Sequence, residues 1–178
     1  MNIYIVRHCK AEGQPAESPL TDVGKKQAEE LASFFADKSI DTIVSSPFRR
    51  ARQSIEPTAI KLGIQLKLDD RLSERVLCSE STEDWKQKLR GSFNELDLKL
   101  AGGESSREAM SRAVEVVGDL RTSGVENTIL VTHGNLMTLL LKHFNDRFGY
   151  DEWEQLKNPD VFLLTINNHE HNLTRVWE

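Results

Sequence analysis

The chain has 178 residues, 38% of them hydrophobic and 29% charged, with a formal net charge of −5. This length suits a single domain with its own core, and the composition excludes a disordered chain. The acidic balance excludes a general nucleic-acid binder, and the two cysteines, Cys9 and Cys78, exclude a disulfide scaffold or a cysteine-rich metal site.

Asn2 to Arg7 reads as a strand, because Ile3, Tyr4, Ile5 and Val6 form the nearly continuous apolar run of a strand covered on both faces. The run is too short for a signal peptide and has no basic leader. After a polar loop over 13–19, Thr21 is the N-cap candidate for a helix with Ala28, Leu31, Ala32 and Phe35 on its inner face. Asp41 to Ser45 reads as a second strand. Ser46-Pro47 then predicts a helix start, a capping hydroxyl followed by proline at the first helical position. That helix runs to Leu62, with a kink expected at Pro57 and a stop at Gly63.

Ile64 to Leu68 alternates apolar and polar residues, as a half-buried strand does. Ser79 to Gly103 is polar and weakly periodic, which predicts short helices and loops. Ala109, Ala113, Val116, Val117 and Leu120 mark one face of a helix that closes near Gly124. Thr128 to Thr132 reads as a buried strand and Gly134 to Phe144 as a buried helix. The apolar stretch Leu136 to Phe144 falls well short of the roughly 20 residues needed to span a membrane. Val161 to Ile166 is a further strand, and a polar hairpin leads to Thr174-Arg175-Val176-Trp177. Strands alternating with helices predict an α/β fold, three layers α/β/α around a mostly parallel sheet, as one domain over residues 1–178. The irregular insert at about 75–103 is expected to shape a ligand site, and the protein is expected in the cytoplasm, off the membrane.

Two patterns share a form. Ile5-Val6-Arg7-His8 and Ile129-Leu130-Val131-Thr132-His133-Gly134 each set a histidine at the carboxyl end of an apolar strand. In a parallel sheet those ends open on one crevice, where the two histidines can meet. Ser45-Ser46-Pro47-Phe48-Arg49-Arg50-Ala51 adds arginines in the first turn of a helix, a setting that favours an anion. Glu74 follows the third strand. The four elements converge on one implied crevice.

Val6-Arg7-His8, the stretch from Pro19 to Ala28, the stretch from Ser45 to Gln53, Gly103-Glu104-Ser105 and Val131-Thr132-His133-Gly134 resemble, in order, the motifs of the phosphoglycerate-mutase-like histidine phosphatase superfamily. The resemblance implies that His8 is the nucleophile that becomes a phosphohistidine. It implies that Arg7 and Arg50 bind phosphate, that His133 holds the transferring oxygens, and that Glu74 protonates the leaving oxygen and then activates water. Gln14 is the nearest counterpart of a phosphate-contacting asparagine. No metal or other cofactor is implied, and the partner is a small phosphorylated substrate. The roles are physically coherent: phosphoryl transfer needs positioning and charge stabilisation, and guanidinium forks supply both.

The sequence departs from the family pattern at Cys9, where glycine is usual, at Lys10-Ala11-Glu12, and at Arg75-Val76-Leu77-Cys78 after Glu74. The adjacent arginine pair with which the mutases hold a sugar-acid carboxylate is missing from the insert, which offers Arg75 and Arg90 only. This favours a phosphatase over a mutase. The rivals of other classes are a metallohydrolase built on His8 and His133, disfavoured by the cation of Arg7, and a non-catalytic phosphate-binding module. Cys9 and Cys78 read either as a redox pair near the crevice or, for Cys9, as small buried packing. Trp85 and Phe93 read as pocket lining or core, and His143, His169 and His171 as structural or exposed.

Overall fold

In the computed structural model, which describes residues 1–79, 83–167 and 170–177, a six-stranded sheet has the order β3-β2-β4-β1-β5-β6. The strands are β1 (Asn2–Arg7), β2 (Thr42–Ser45), β3 (Leu66–Leu68), β4 (Asn127–Thr132), β5 (Asp160–Asn167) and β6 (Glu170–Arg175). The first four are parallel; β5 and β6 run antiparallel at one edge. The helices are α1 (Asp22–Phe34), α2 (Arg49–Leu62), α3 (Trp85–Asn94), α4 (Ser106–Ser123), α5 (Gly134–Phe144) and α6 (Tyr150–Glu154). None is long and apolar enough to cross a membrane.

Strand alternation makes the three layers. Ile3 and Ile5 of β1, Val44 of β2 and Leu130 of β4 face a core shared with α4 and α5. Val6, Ile43, Ile129 and Val131 face the opposite core, shared with α1 and α2. A strand covered on both faces has no polar side to show, which is why β1 and β4 read as continuous apolar runs. The expected three-layer α/β/α architecture is the one observed.

Local signals explain most boundaries. Thr21 caps α1 through a bond from the Gly24 N–H, and Ser105 with Glu108 forms a capping box for α4. Gly24 is required by contact: a Cβ there would lie 2.0 Å from the Lys10 carbonyl oxygen, so only glycine lets α1 sit against the loop that follows His8. The expected start of the second helix needs correction. It begins at Arg49, and Ser46 does not cap it. The Ser46 N–H is still held by the Val131 carbonyl at 2.9 Å, so the chain follows the sheet for one residue past β2 and its hydroxyl turns elsewhere. Among its described residues the insert holds one regular helix, α3, of 10 residues, and α6 is an element that no sequence pattern announces. Residues 80–82 of the insert, and His169, lie outside the described residues.

Candidate active site

Sheet register assembles the site. Arg7 pairs with Thr132 across β1 and β4, so His8 and His133 leave the sheet side by side, with ring centroids 5.1 Å apart. On the other edge of β4, Ser45 pairs with Val131, which delivers Ser46 to the same spot. After β3 a single 3₁₀ turn over Asp70–Leu72 returns the chain, and Glu74 reaches the N-terminus of α5. A cavity of about 470 Å³ opens over these carboxyl ends, lined by Arg7, His8, Gln14, Glu74, Asn135 and Asn158 among others.

Two contacts fix the His8 ring. Its Nδ1 is 2.7 Å from the Cys9 carbonyl oxygen, an acceptor only, so Nδ1 carries the hydrogen. Its Nε2 accepts a hydrogen bond of 3.3 Å from Nε of Arg50, so Nε2 holds a lone pair. Arg50 is 1% exposed and also donates from Nη1 to the Gln14 and Pro15 carbonyls at 2.8 and 2.9 Å. Its neighbour Arg49 is exposed. Arg7 is anchored through Nη1 on the Leu156 and Lys157 carbonyls, and its Nε is buried with no partner among the described residues. The guanidinium lies flat against Gly134, where a Cβ would sit 3.1 Å from Nε and Nη2. The glycine after His133 is thus the space that Arg7 occupies.

His133 is fully buried, with Nε2 2.7 Å from the Ser46 hydroxyl. That hydroxyl also accepts from the Phe48 N–H at 3.2 Å, and the acceptor for its own single hydrogen among the described contacts is Nε2. The hydrogen of the imidazole is then on Nδ1, which is buried and unpaired among the described residues. Glu74 Oε1 accepts from the Arg75 and Leu136 N–H groups at 2.8 and 3.0 Å, and Oε2 accepts from Asn135 N–H at 3.2 Å. The carboxyl therefore caps the N-terminus of α5 at the cavity wall.

Burial is the first cause that lowers His8, to about 3, with Arg50 and Arg7 adding to it against the bond to Cys9. Burial also pushes His133 well below the ordinary value, reinforced by His8 and the arginines Arg50, Arg112 and Arg7. Both rings are neutral at pH 7. The cluster thus offers a lone-pair nitrogen, two guanidinium groups, an imidazole N–H and a carboxyl around one opening. Such a set can bind a tetrahedral anion and accept a group from it. Among the described residues no group of three His, Cys, Asp or Glu side chains is arranged to hold a metal ion.

Residues 3–177 match the sequence model of the histidine phosphatase superfamily, branch 1. The chain belongs to this superfamily. A Hydrogenobacter thermophilus protein provisionally named phosphoserine phosphatase 2 is 31% identical over 150 residues, covering 76% of this chain and 74% of its own. A Shigella dysenteriae protein provisionally named a phosphoglycerate mutase is 29% identical over 155 residues, covering 75% and 70%. The solved structure of a mycobacterial glucosyl-3-phosphoglycerate phosphatase with vanadate superposes with a TM-score of 0.79 at 22% identity, covering 99% of this chain and 98% of that one.

Other residues of the chain are tied into the same cluster. Asn158, which no motif signalled, donates from Nδ2 to the His8 carbonyl at 2.7 Å, and its own carbonyl accepts from Gln27 at 2.5 Å. Ser54 accepts from the Cys9 N–H at 2.8 Å and donates to the Arg50 carbonyl at 2.6 Å, tying α2 to the loop that follows His8. Gln14 contributes its carbonyl to Arg50, while its exposed side chain lines the cavity. Cys9 is fully buried in the core beside α1 and α2, and burial pushes its thiol up to about 12. Burial of this kind keeps a thiol protonated and away from solvent, which favours the packing role over the redox one. Trp85 lines the cavity, whereas Phe93 belongs to the core. His143 and His171 both pack on Phe144, away from the crevice motifs.

Proposed function

We propose that this member of the histidine phosphatase superfamily is a metal-independent phosphomonoester hydrolase acting through a phosphohistidine on a small phosphorylated metabolite. The observation that carries this reading is the fixed orientation of His8, with Nδ1–H on the Cys9 carbonyl and the Nε2 lone pair beside Arg50. Only an unprotonated nitrogen attacks phosphorus, and this ring is held neutral with that nitrogen toward the guanidinium.

In the proposed first step the phosphate enters between Arg7, Arg50 and His133. Nε of Arg7 and Nδ1 of His133, both buried without partners, are donors that phosphoryl oxygens satisfy. Arg50 exchanges its bond to His8 for one to the phosphate, which frees Nε2. The bond from Nε2 to phosphorus forms, the ester P–O bond breaks, and Glu74 gives the leaving oxygen its proton. The second step reverses the sense: Glu74, now a carboxylate, takes a proton from water as it attacks, releasing phosphate and free His8. Oε2 of Glu74, with its single longer bond, is the oxygen suited to carry that proton.

The mutase alternative requires a site for the sugar-acid carboxylate. Both arginines of the insert are committed elsewhere. Arg75 binds the Ser92 hydroxyl and the Glu104 carbonyl, and Arg90 pairs with Asp151 and lies 4.1 Å above the Tyr150 ring. This favours the hydrolase. The two guanidinium groups beside His8 likewise disfavour a metal cation there.

His8→Ala is expected to lower turnover by about 10⁴-fold or more, as for loss of a covalent nucleophile. A radiolabelled phosphate ester should leave an acid-labile, base-stable label on the wild type and none on the variant. Retention of a tenth of the activity by the variant excludes the covalent mechanism.

A further inference from the structure

Resting on the hydrolase reading, we infer that the cavity over His8 selects phosphate esters whose alcohol carries an aromatic or bulky apolar group, received by Trp85 and Trp153. Leu77, Trp85, Leu89 and Trp153 line the same cavity as Arg7 and His8. The two indoles meet edge to face, with centroids 6.0 Å apart at 89°. Trp85 is nevertheless 41% exposed. A large apolar ring left open to water at the mouth of an anion site is the kind of surface that a ligand covers with gain.

The wall is built from two elements clasped together. Arg90 of α3 pairs with Asp151 of α6 at 3.0 Å, and Lys86 of α3 approaches Glu154 of α6 at 3.8 Å. Each exposed pair contributes little alone, but with the indole contact they define where the tryptophans stand relative to the phosphate end. The two arginines near the indoles are already occupied. Arg75 lines the cavity, and its guanidinium binds the Ser92 hydroxyl and the Glu104 carbonyl. Arg90 is held on Tyr150 and Asp151. A substrate with a carboxylate or several hydroxyls would meet indole and leucine there. A substrate with a ring would bury apolar area on both partners. Lys10, which also lines the cavity, supplies the competing possibility that a second anionic group is attracted, and the test addresses it directly.

The test compares esters with alkoxide leaving groups, so that chemistry at phosphorus is matched: ethyl phosphate, 2-phenylethyl phosphate, phosphoserine and 3-phosphoglycerate. The wild type is expected to show kcat/KM for 2-phenylethyl phosphate at least about tenfold above ethyl phosphate, the scale of burying one apolar ring. In Trp85→Ala and Trp153→Ala this ratio should fall below about threefold, while Trp85→Phe keeps most of it. The ratio is insensitive to a loss of active protein, which lowers both substrates alike. The inference is overturned, with the hydrolase reading intact, if phosphoserine, 3-phosphoglycerate or ethyl phosphate is turned over as efficiently as the phenylethyl ester. It is also overturned if the ratio survives both tryptophan-to-alanine changes. Absence of turnover on every ester together with absence of a phosphohistidine label overturns both readings at once.

Discussion

Arg50→Ala separates the proposed phosphate clamp from ordinary helix-surface charge. The side chain is 1% exposed and donates to His8 Nε2 and to the carbonyls of Gln14 and Pro15. Removing it deletes a charge-assisted bond to the bound oxyanion, about 1.5–3 kcal/mol, which is roughly 10- to 150-fold in affinity. It also frees the loop at Gln14 and Pro15, which lowers affinity further. The protonation of His8 should change little, because burial outweighs Arg50 in holding that ring neutral. The loss should therefore appear in vanadate affinity, read by inhibition or by quenching of the cavity tryptophans. Arg50→Lys should fall between, since an ammonium keeps the charge but not the fork. Arg49→Ala, at an exposed position, should stay within about twofold of wild type, the usual scale of a neutral surface change. Equal losses at Arg49 and Arg50, or vanadate binding by Arg50→Ala within about twofold of wild type, would refute the clamp.

Glu74→Gln should slow alkyl phosphates far more than nitrophenyl phosphate, because a nitrophenolate departs without a proton and an alkoxide does not. A uniform loss across leaving groups would take the acid role from Glu74. Glu104 is a poor substitute, since both of its oxygens are bound by Arg112. Stability should also depend on pH in a defined direction. His8 is held near 3 when folded against an ordinary 6.5, so the unfolded chain takes up a proton that the folded one refuses. That contribution is fully present above pH 6.5 and is lost as pH falls toward about 3, at up to about 1.4 kcal/mol per pH unit. His133 acts in the same direction. Melting temperatures measured from pH 7 to 4 should fall less steeply in His8→Gln than in the wild type, and identical slopes would contradict the buried neutral ring.

Much of the site was legible because its motifs sit at strand ends. The apolar runs before His8 and His133 announce parallel strands, and parallel strands deliver their next residues to one edge. The adjacent arginines at 49 and 50 announce an anion-facing helix start. What those motifs do not contain is the partner that comes from elsewhere in the chain. Ser46 looks like a helix cap in sequence, and it becomes the hydroxyl on His133 only because β2 pairs with β4 one residue further than the cap pattern implies. Asn158 lies in an unremarkable loop 150 residues from His8 and reaches its carbonyl only once β5 is paired with β1.

By itself, then, the order of apolar runs and caps determined the α/β architecture, since periodicity and chain-local capping are properties of neighbouring residues, and the resemblance of the motifs around His8, Arg50 and His133 pointed to the superfamily. The tautomer of His8, the burial of Arg50 against it, the burial of Cys9 and the edge-to-face meeting of Trp85 and Trp153 were decided only by tertiary packing. Each depends on which groups from distant segments share a few ångströms of low-dielectric space, and there hydrogen-bond partners and burial, not sequence neighbours, set charge and orientation.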